Sequence, residues 1–102
     1  SPRFGAAIAN EMLPCAVWGA DPQGSAGPVT APDAPPILVV GNTGDPATPL
    51  ENARAVADSL ETAHLLVVDM DGHVAFGSNG CATEAIERYL VELAVPDDGA
   101  TC

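Results

Sequence analysis

The sequence contains no lysine, and its three arginines face fourteen acidic residues, leaving a formal charge of -11. Nucleic-acid phosphates and anionic lipid surfaces both require cations, so neither is expected as a partner. The glycine-bearing stretch 41–49 is not a P-loop, because the lysine that contacts the phosphates is missing. Aromatic residues are scarce too: one Trp, one Tyr and two Phe. With 47% hydrophobic residues a core is still within reach, but Ala and Val must supply much of it and it should be modest. No apolar run approaches the roughly 20 residues that cross a bilayer, so no transmembrane segment is expected. The N-terminus Ser1-Pro2-Arg3-Phe4 lacks a signal-peptide pattern, so a targeting sequence has been removed or the chain starts within a longer protein. Two His and three Cys are scattered without the spacing of a zinc site.

Cysteine is present in an odd number, Cys15, Cys81 and Cys102, which cannot close internally. A cysteine at position 102 is badly placed for a core thiol, so a disulfide explains it better than three free thiols. That reading implies an oxidising, extracytoplasmic compartment, secreted or in the cell envelope.

A length of 102 residues suits one compact unit or a piece of something larger. Three stretches are distinguished. Residues 1–18 form a helix and Cys/Trp segment: Phe4, Ala7, Ile8 and Met12 fall near one helical face, and Pro14 follows where a helix should stop. Trp18, beside Pro14 and Cys15, reads as a packing anchor. Residues 19–35 are dense in Pro, Gly, Ala and Asp without apolar periodicity, and form a surface connection.

Residues 36–102 carry a β-α-β-α pattern. Pro36-Ile37-Leu38-Val39-Val40 and Leu65-Leu66-Val67-Val68 are continuous apolar runs of the kind that a parallel sheet buries on both faces. Between them, Thr48-Pro49-Leu50-Glu51 predicts a capping box at a helix start, with Pro49 at the first helical position. Leu50, Ala53, Val56, Ala57 and Leu60 make that helix's apolar side. A last helix follows Cys81, with Ala85, Ile86, Tyr89, Leu90 and Leu93 as its buried stripe, and ends near Pro96. The fold class is α/β, with a right-handed parallel crossover expected. Two parallel strands rarely make a whole sheet, so the unit reads as the end of a larger one.

Chemistry in open α/β sheets gathers at the carboxyl ends of the strands. Two stretches leave such ends here: Gly41-Asn42-Thr43-Gly44-Asp45-Pro46-Ala47-Thr48-Pro49 and Asp69-Met70-Asp71-Gly72-His73. A serine-hydrolase triad needs an imidazole to take the nucleophile's proton and a carboxylate to hold the other ring nitrogen. Asp45 and His73 can form that pair, with Thr48 stiffening the acid loop as a helix cap and a candidate orienter of Asp45. Set against this, Asp45 could be a turn aspartate before Pro46, and His73 a loop histidine after a turn. Asp71 reads as a turn former, and His64, at the opposite end of the strand, as incidental.

These residues resemble the C-terminal portion of secreted actinobacterial α/β-hydrolases of the tripeptidyl-aminopeptidase-like (TAP-like) family. The likeness rests on Pro14-Cys15-Ala16-Val17-Trp18, the 36–49 motif, Asp71-Gly72-His73, Cys81 before the last helix and Gly99-Ala100-Thr101-Cys102. It implies a C-terminal β-α-β-α segment of an α/β-hydrolase fold, parallel strands with flanking helices. It makes Asp45 the triad acid and His73 the triad base, with no cofactor. A Cys81–Cys102 bridge is implied as well, worth about 3 kcal/mol in the chain-entropy model. Cys15 would then need a partner outside the chain.

The family's nucleophile lies upstream in a Gly-x-Ser-x-Gly elbow. This chain has none: Gly24-Ser25-Ala26-Gly27 lacks the spacing and sits in the Pro/Gly connection. The expected partners are therefore the upstream part of the same hydrolase, carrying the serine, and a peptide or ester substrate, while the chain alone is expected to be inactive. The contrasting expectation is a non-catalytic, independently folding domain that docks on the rest of the enzyme or another partner. Leu66-Val67-Val68-Asp69-Met70-Asp71-Gly72 also matches the first motif of haloacid-dehalogenase-type phosphatases, but their later lysine is absent.

Overall fold

The structure is a computed structural model that describes residues 3, 5–11, 13–21, 23–24, 27 and 29–102, without the side chain of Ala7. Its element order is α1 (Gly5–Ala9), α2 (Leu13–Ala16), β1 (Ile37–Gly44), α3 (Leu50–Ser59), β2 (Ala63–Asp71) and α4 (Gly80–Glu92). The α/β class and the β-α-β-α order of residues 36–102 follow the sequence reading.

The N-terminal segment departs from it. The expected single helix up to Pro14 is two short helices, and Pro14 sits inside the second. In a first turn the missing N–H of proline has no intrahelical partner to lose, so Pro14 is tolerated there rather than acting as a stop. Phe4 and Met12, two members of the expected apolar face, lie outside the described residues. Ile8 (61%) and Trp18 (74%) are exposed, so Trp18 is not a packing anchor within this chain.

β1 and β2 are parallel neighbours, in register from Ile37 opposite Ala63 to Asn42 opposite Val68. The pairing becomes irregular between Asn42 and Gly44, and Gly44 lies opposite Asp71. Both strands therefore run further than their apolar runs: residues 41–44 and 69–71 belong to the sheet, Gly41 and Asn42 opposite Val67 and Val68 and Gly44 opposite Asp71. Side chains alternate across a strand. Leu38 and Val40 face the core of Leu66, Val68, Ala75 and Ala82, with Ala85 of α4 packed on the same side. On the opposite face α3 lies so close that a Cβ on Gly41 would come within 2.7 Å of Leu50 Cδ1 and 2.8 Å of Ala53 Cβ.

The far edge of β2 is closed by the tail. Thr101 bridges Val67 in parallel, with hydrogen bonds from Val67 N to Ala100 O (3.2 Å), Cys102 N to Val67 O (2.8 Å) and Asp69 N to Cys102 O (3.1 Å). A Cys81–Cys102 disulfide, Cα to Cα 5.7 Å, ties that tail to the first turn of α4. Among the described residues the far edge of β1 has no such cover.

The last helix starts earlier than expected, at Gly80, with Asn79 as its cap accepting from Ala82 N. It ends at Glu92, before Pro96, on Leu93 in the left-handed region. Ala85, Ile86 and Tyr89 are half-buried as expected. Leu90 (69%) and Leu93 (53%) are not, because two strands and a short tail are too narrow to cover the whole stripe. The chain exposes 7410 Å², where a compact monomer of 10.3 kDa exposes about 5,400 Å². No described helix is long and apolar enough to cross a membrane.

Candidate active site

β1 ends at Gly44, and the chain turns at Asp45 around its own side chain. Asp45 Oδ1 accepts from the backbone N–H of Ala47 (2.8 Å) and Thr48 (2.9 Å), and Oδ2 accepts from the Thr48 hydroxyl (2.8 Å). This arrangement, an aspartate satisfying the backbone two and three residues on, is the favoured chemistry of such turns. It also displaces the expected capping box. The Thr48 N–H that Glu51 would have captured is already donated to Asp45, and α3 begins one residue later than expected, at Leu50, with Pro49 at the cap position and no side-chain cap. Thr48 thus serves Asp45 rather than the helix.

β2 ends at Asp71, and Gly72 makes the reversal at φ +123°, a conformation that side chains rarely adopt. Gly72 N donates to Gly44 O (3.1 Å) and Asn42 Nδ2 donates to Gly72 O (2.9 Å), which stitches the two strand ends together. The next residue is His73. Its Nδ1 lies 2.9 Å from Asp45 Oδ2 and 3.2 Å from Oδ1, with the Thr48 hydroxyl oxygen 3.4 Å away.

An ionised carboxylate only accepts, so Nδ1 carries a proton, and in the neutral ring Nε2 keeps the lone pair. Among the described residues Nε2 has no hydrogen-bond partner. The Asp45 side chain is 4% exposed, whereas that of His73 is 56% exposed. Asp45 titrates far below the ordinary carboxylate range. The backbone N–H of Thr48 lowers it most, helped by His73, the Thr48 hydroxyl and the Ala47 N–H, against the opposing pull of desolvation.

The pair opens onto a groove of about 490 Å³ along the uncovered edge of β1, with Ala53 and Val56 of α3 on one side and Ala75, Phe76 and Ile86 on the other. Two serines are described, Ser59 and Ser78, and neither lines it. His64 stands near the start of β2, its Nδ1 3.6 Å from Asp98. Asp71 closes β2 opposite Gly44, and the Thr43 hydroxyl donates to Asp69 (2.9 Å). Asp69 and Asp71 gather no metal-ligand group among the described residues.

Asp45, Thr48 and His73, the candidate residues of the sequence, lie within hydrogen-bonding distance of one another. The sequence reading overlooked Asn42. The signal was an amide at the third position of a strand face whose first two members, Leu38 and Val40, are apolar.

Residues 1–102 match the family described as TAP-like protein. The serine protease Hip1 of Mycobacterium tuberculosis is 36% identical over 89 residues, which are 86% of this chain and 17% of that protein. Carboxylesterase B of the same organism is 30% identical over 89 residues, with the same shares. The tripeptidyl aminopeptidase of Streptomyces coelicolor is 29% identical over 92 residues, 88% of this chain and 17% of the relative. The chain thus spans about a sixth of the length of these relatives.

Proposed function

The chain belongs to the TAP-like family of α/β-hydrolases, and from that premise we propose that it supplies the acid and base of a Ser-His-Asp triad whose serine lies upstream, outside these 102 residues. The observation that carries this reading is the Asp45–His73 pair, with Nδ1 engaged at 2.9 Å and His73 among the residues that line the groove. In the enclosing enzyme the serine hydroxyl attacks the acyl carbon and His73 Nε2 takes its proton. Asp45 holds Nδ1–H and stabilises the imidazolium, and His73 then returns the proton to the leaving amine or alkoxide. Backbone N–H groups upstream hold the oxyanion. No cofactor enters.

The substrate class is an acyl compound. Relatives named as a serine protease and a tripeptidyl aminopeptidase favour a peptidase, one that releases short peptides from a free N-terminus. The relative named as a carboxylesterase favours the second reading, an ester hydrolase with the same machinery. The uncovered edge of β1 and the groove beside it are where the upstream part would join. A secreted or envelope location is supported by the Cys81–Cys102 disulfide.

The test is to assay the enclosing polypeptide, with Asp45→Ala and His73→Ala variants, on an activated ester and on a peptide with a free N-terminus. Near wild-type kcat/KM in either variant would overturn the triad. The 102-residue chain alone should neither hydrolyse these substrates nor react with a serine-directed probe, and turnover by it would reveal a nucleophile within the chain.

A further inference from the structure

Asn42 is 4% exposed, the buried polar residue of the described chain, and the chemistry proposed above leaves it without a role. It shares a strand face with Leu38 and Val40, which pack on the core, so a third apolar residue would be the cheaper choice there. Its Nδ2 donates to the carbonyl of Gly72, 30 positions further along the chain. The orientation of the amide is fixed by that partner, since a carbonyl only accepts. Its Oδ1 is buried without a donor, and the residue lines the groove beside Asp45 and His73. Core packing accounts for neither feature.

The position of this bond is informative. His73 follows Gly72 directly, and its ring is 56% exposed, so packing cannot hold it in place. Gly72, at φ +123°, is the residue of the loop whose backbone is freest to rotate. A tether on its carbonyl fixes the peptide plane from which His73 departs. The companion bond, Gly72 N to Gly44 O, ties the same glycine to the residue before Asp45.

We infer that Asn42 is a positioning residue for the Asp45–His73 pair, its amide locking the Gly72–His73 peptide so that the exposed ring meets the buried carboxylate. The inference rests on reading that pair as the catalytic acid and base, and it is tested on a signal that the pair gives without turnover. A histidine Nδ1–H held by a carboxylate exchanges slowly with water and appears far downfield in the proton NMR spectrum.

In the 102-residue chain, Asn42→Leu removes both arms of the amide on the same branched skeleton, and Asn42→Asp keeps the size but cannot donate when ionised. Both should lose the His73 signal, or speed its exchange by about tenfold, the scale of one net hydrogen bond. The dispersed amide spectrum and the disulfide should remain. An unchanged His73 signal in Asn42→Leu, with Asp45→Asn abolishing it, overturns the role of Asn42 while leaving the pair intact. A signal that survives Asp45→Asn, or is missing from the wild type, overturns the pairing itself.

Should both Asn42 variants fail to fold, the wild type decides the matter. Exchange of the Asn42 side-chain amide and of His73 Nδ1–H should accelerate together below the unfolding midpoint, and independent behaviour overturns the inference. In the enclosing enzyme, Asn42→Leu should lower kcat at little-changed KM, whereas raised KM alone counts against it.

Discussion

Along β2 the outer edge of the sheet is finished, paired with residues 100–102 and fastened by a disulfide, whereas along β1 the outer edge is bare among the described residues. An unpaired parallel edge offers a row of backbone donors and acceptors that natural proteins cover or blunt. Here the bare edge borders the groove that Asp45 and His73 line. The difference teaches which way the sheet can grow: away from the tail, across β1, toward the groove that the candidate pair faces. A nucleophile arriving on a further strand would arrive from that side.

The contrast can be broken first at the bare edge. In the enclosing enzyme, His73→Ala or Asp45→Ala should lower kcat/KM by about 10³-fold or more, as loss of a triad member does, while leaving the circular dichroism spectrum unchanged. At the finished edge the effect is on stability instead. Replacing Cys81 and Cys102 with serine should cost about 3 kcal/mol in denaturant unfolding. The backbone amides of Val67 and Asp69, which face the tail, should lose exchange protection, and those binding β2 to β1 should not.

Smaller effects sharpen the picture. Gly41→Val places a side chain where Leu50 and Ala53 already sit, and should destabilise by about 1–3 kcal/mol in thermal unfolding. The slightest effect is one of pH. Asp45 is lowered in the folded state, so its contribution to stability is complete above the ordinary carboxylate value of about 4 and is lost as pH falls toward the lowered one. A carboxyl-carbon NMR titration should find the Asp45 midpoint below that ordinary value. A midpoint at or above it would mean that the turn around Asp45 does not persist in solution.

How much of this was legible in the sequence differs between the two edges. The apolar runs at 37–40 and 65–68, the helix between them and the carboxyl-end location of Asp45 and His73 follow from period and position alone. Strand length does not: Gly41, Asn42 and Gly44 read as a loop, and only pairing with 67–71 makes them strand. The tail's pairing was equally hidden, since Ala100-Thr101-Cys102 has no periodicity and its bridge to Val67 depends on β2 and a covalent bond. Thr48 showed the limit of a local motif. A capping box and an aspartate turn compete for one backbone N–H, and sequence does not say which acceptor captures it. The breadth of the α4 stripe overstated burial at Leu90 and Leu93 because it is defined by the helix, not by the width of the sheet beneath it.

The donors converging on Asp45 have a further consequence. Three of the four come from its own loop and the fourth is His73, so the carboxylate is oriented by groups that do not depend on the charge of the ring. A ring that cycles between neutral and cationic forms would therefore do so in a field already aligned, and little dipole reorientation would accompany each proton transfer. In that case the alignment would be built into a four-residue turn, Asp45 to Thr48, before any substrate is bound.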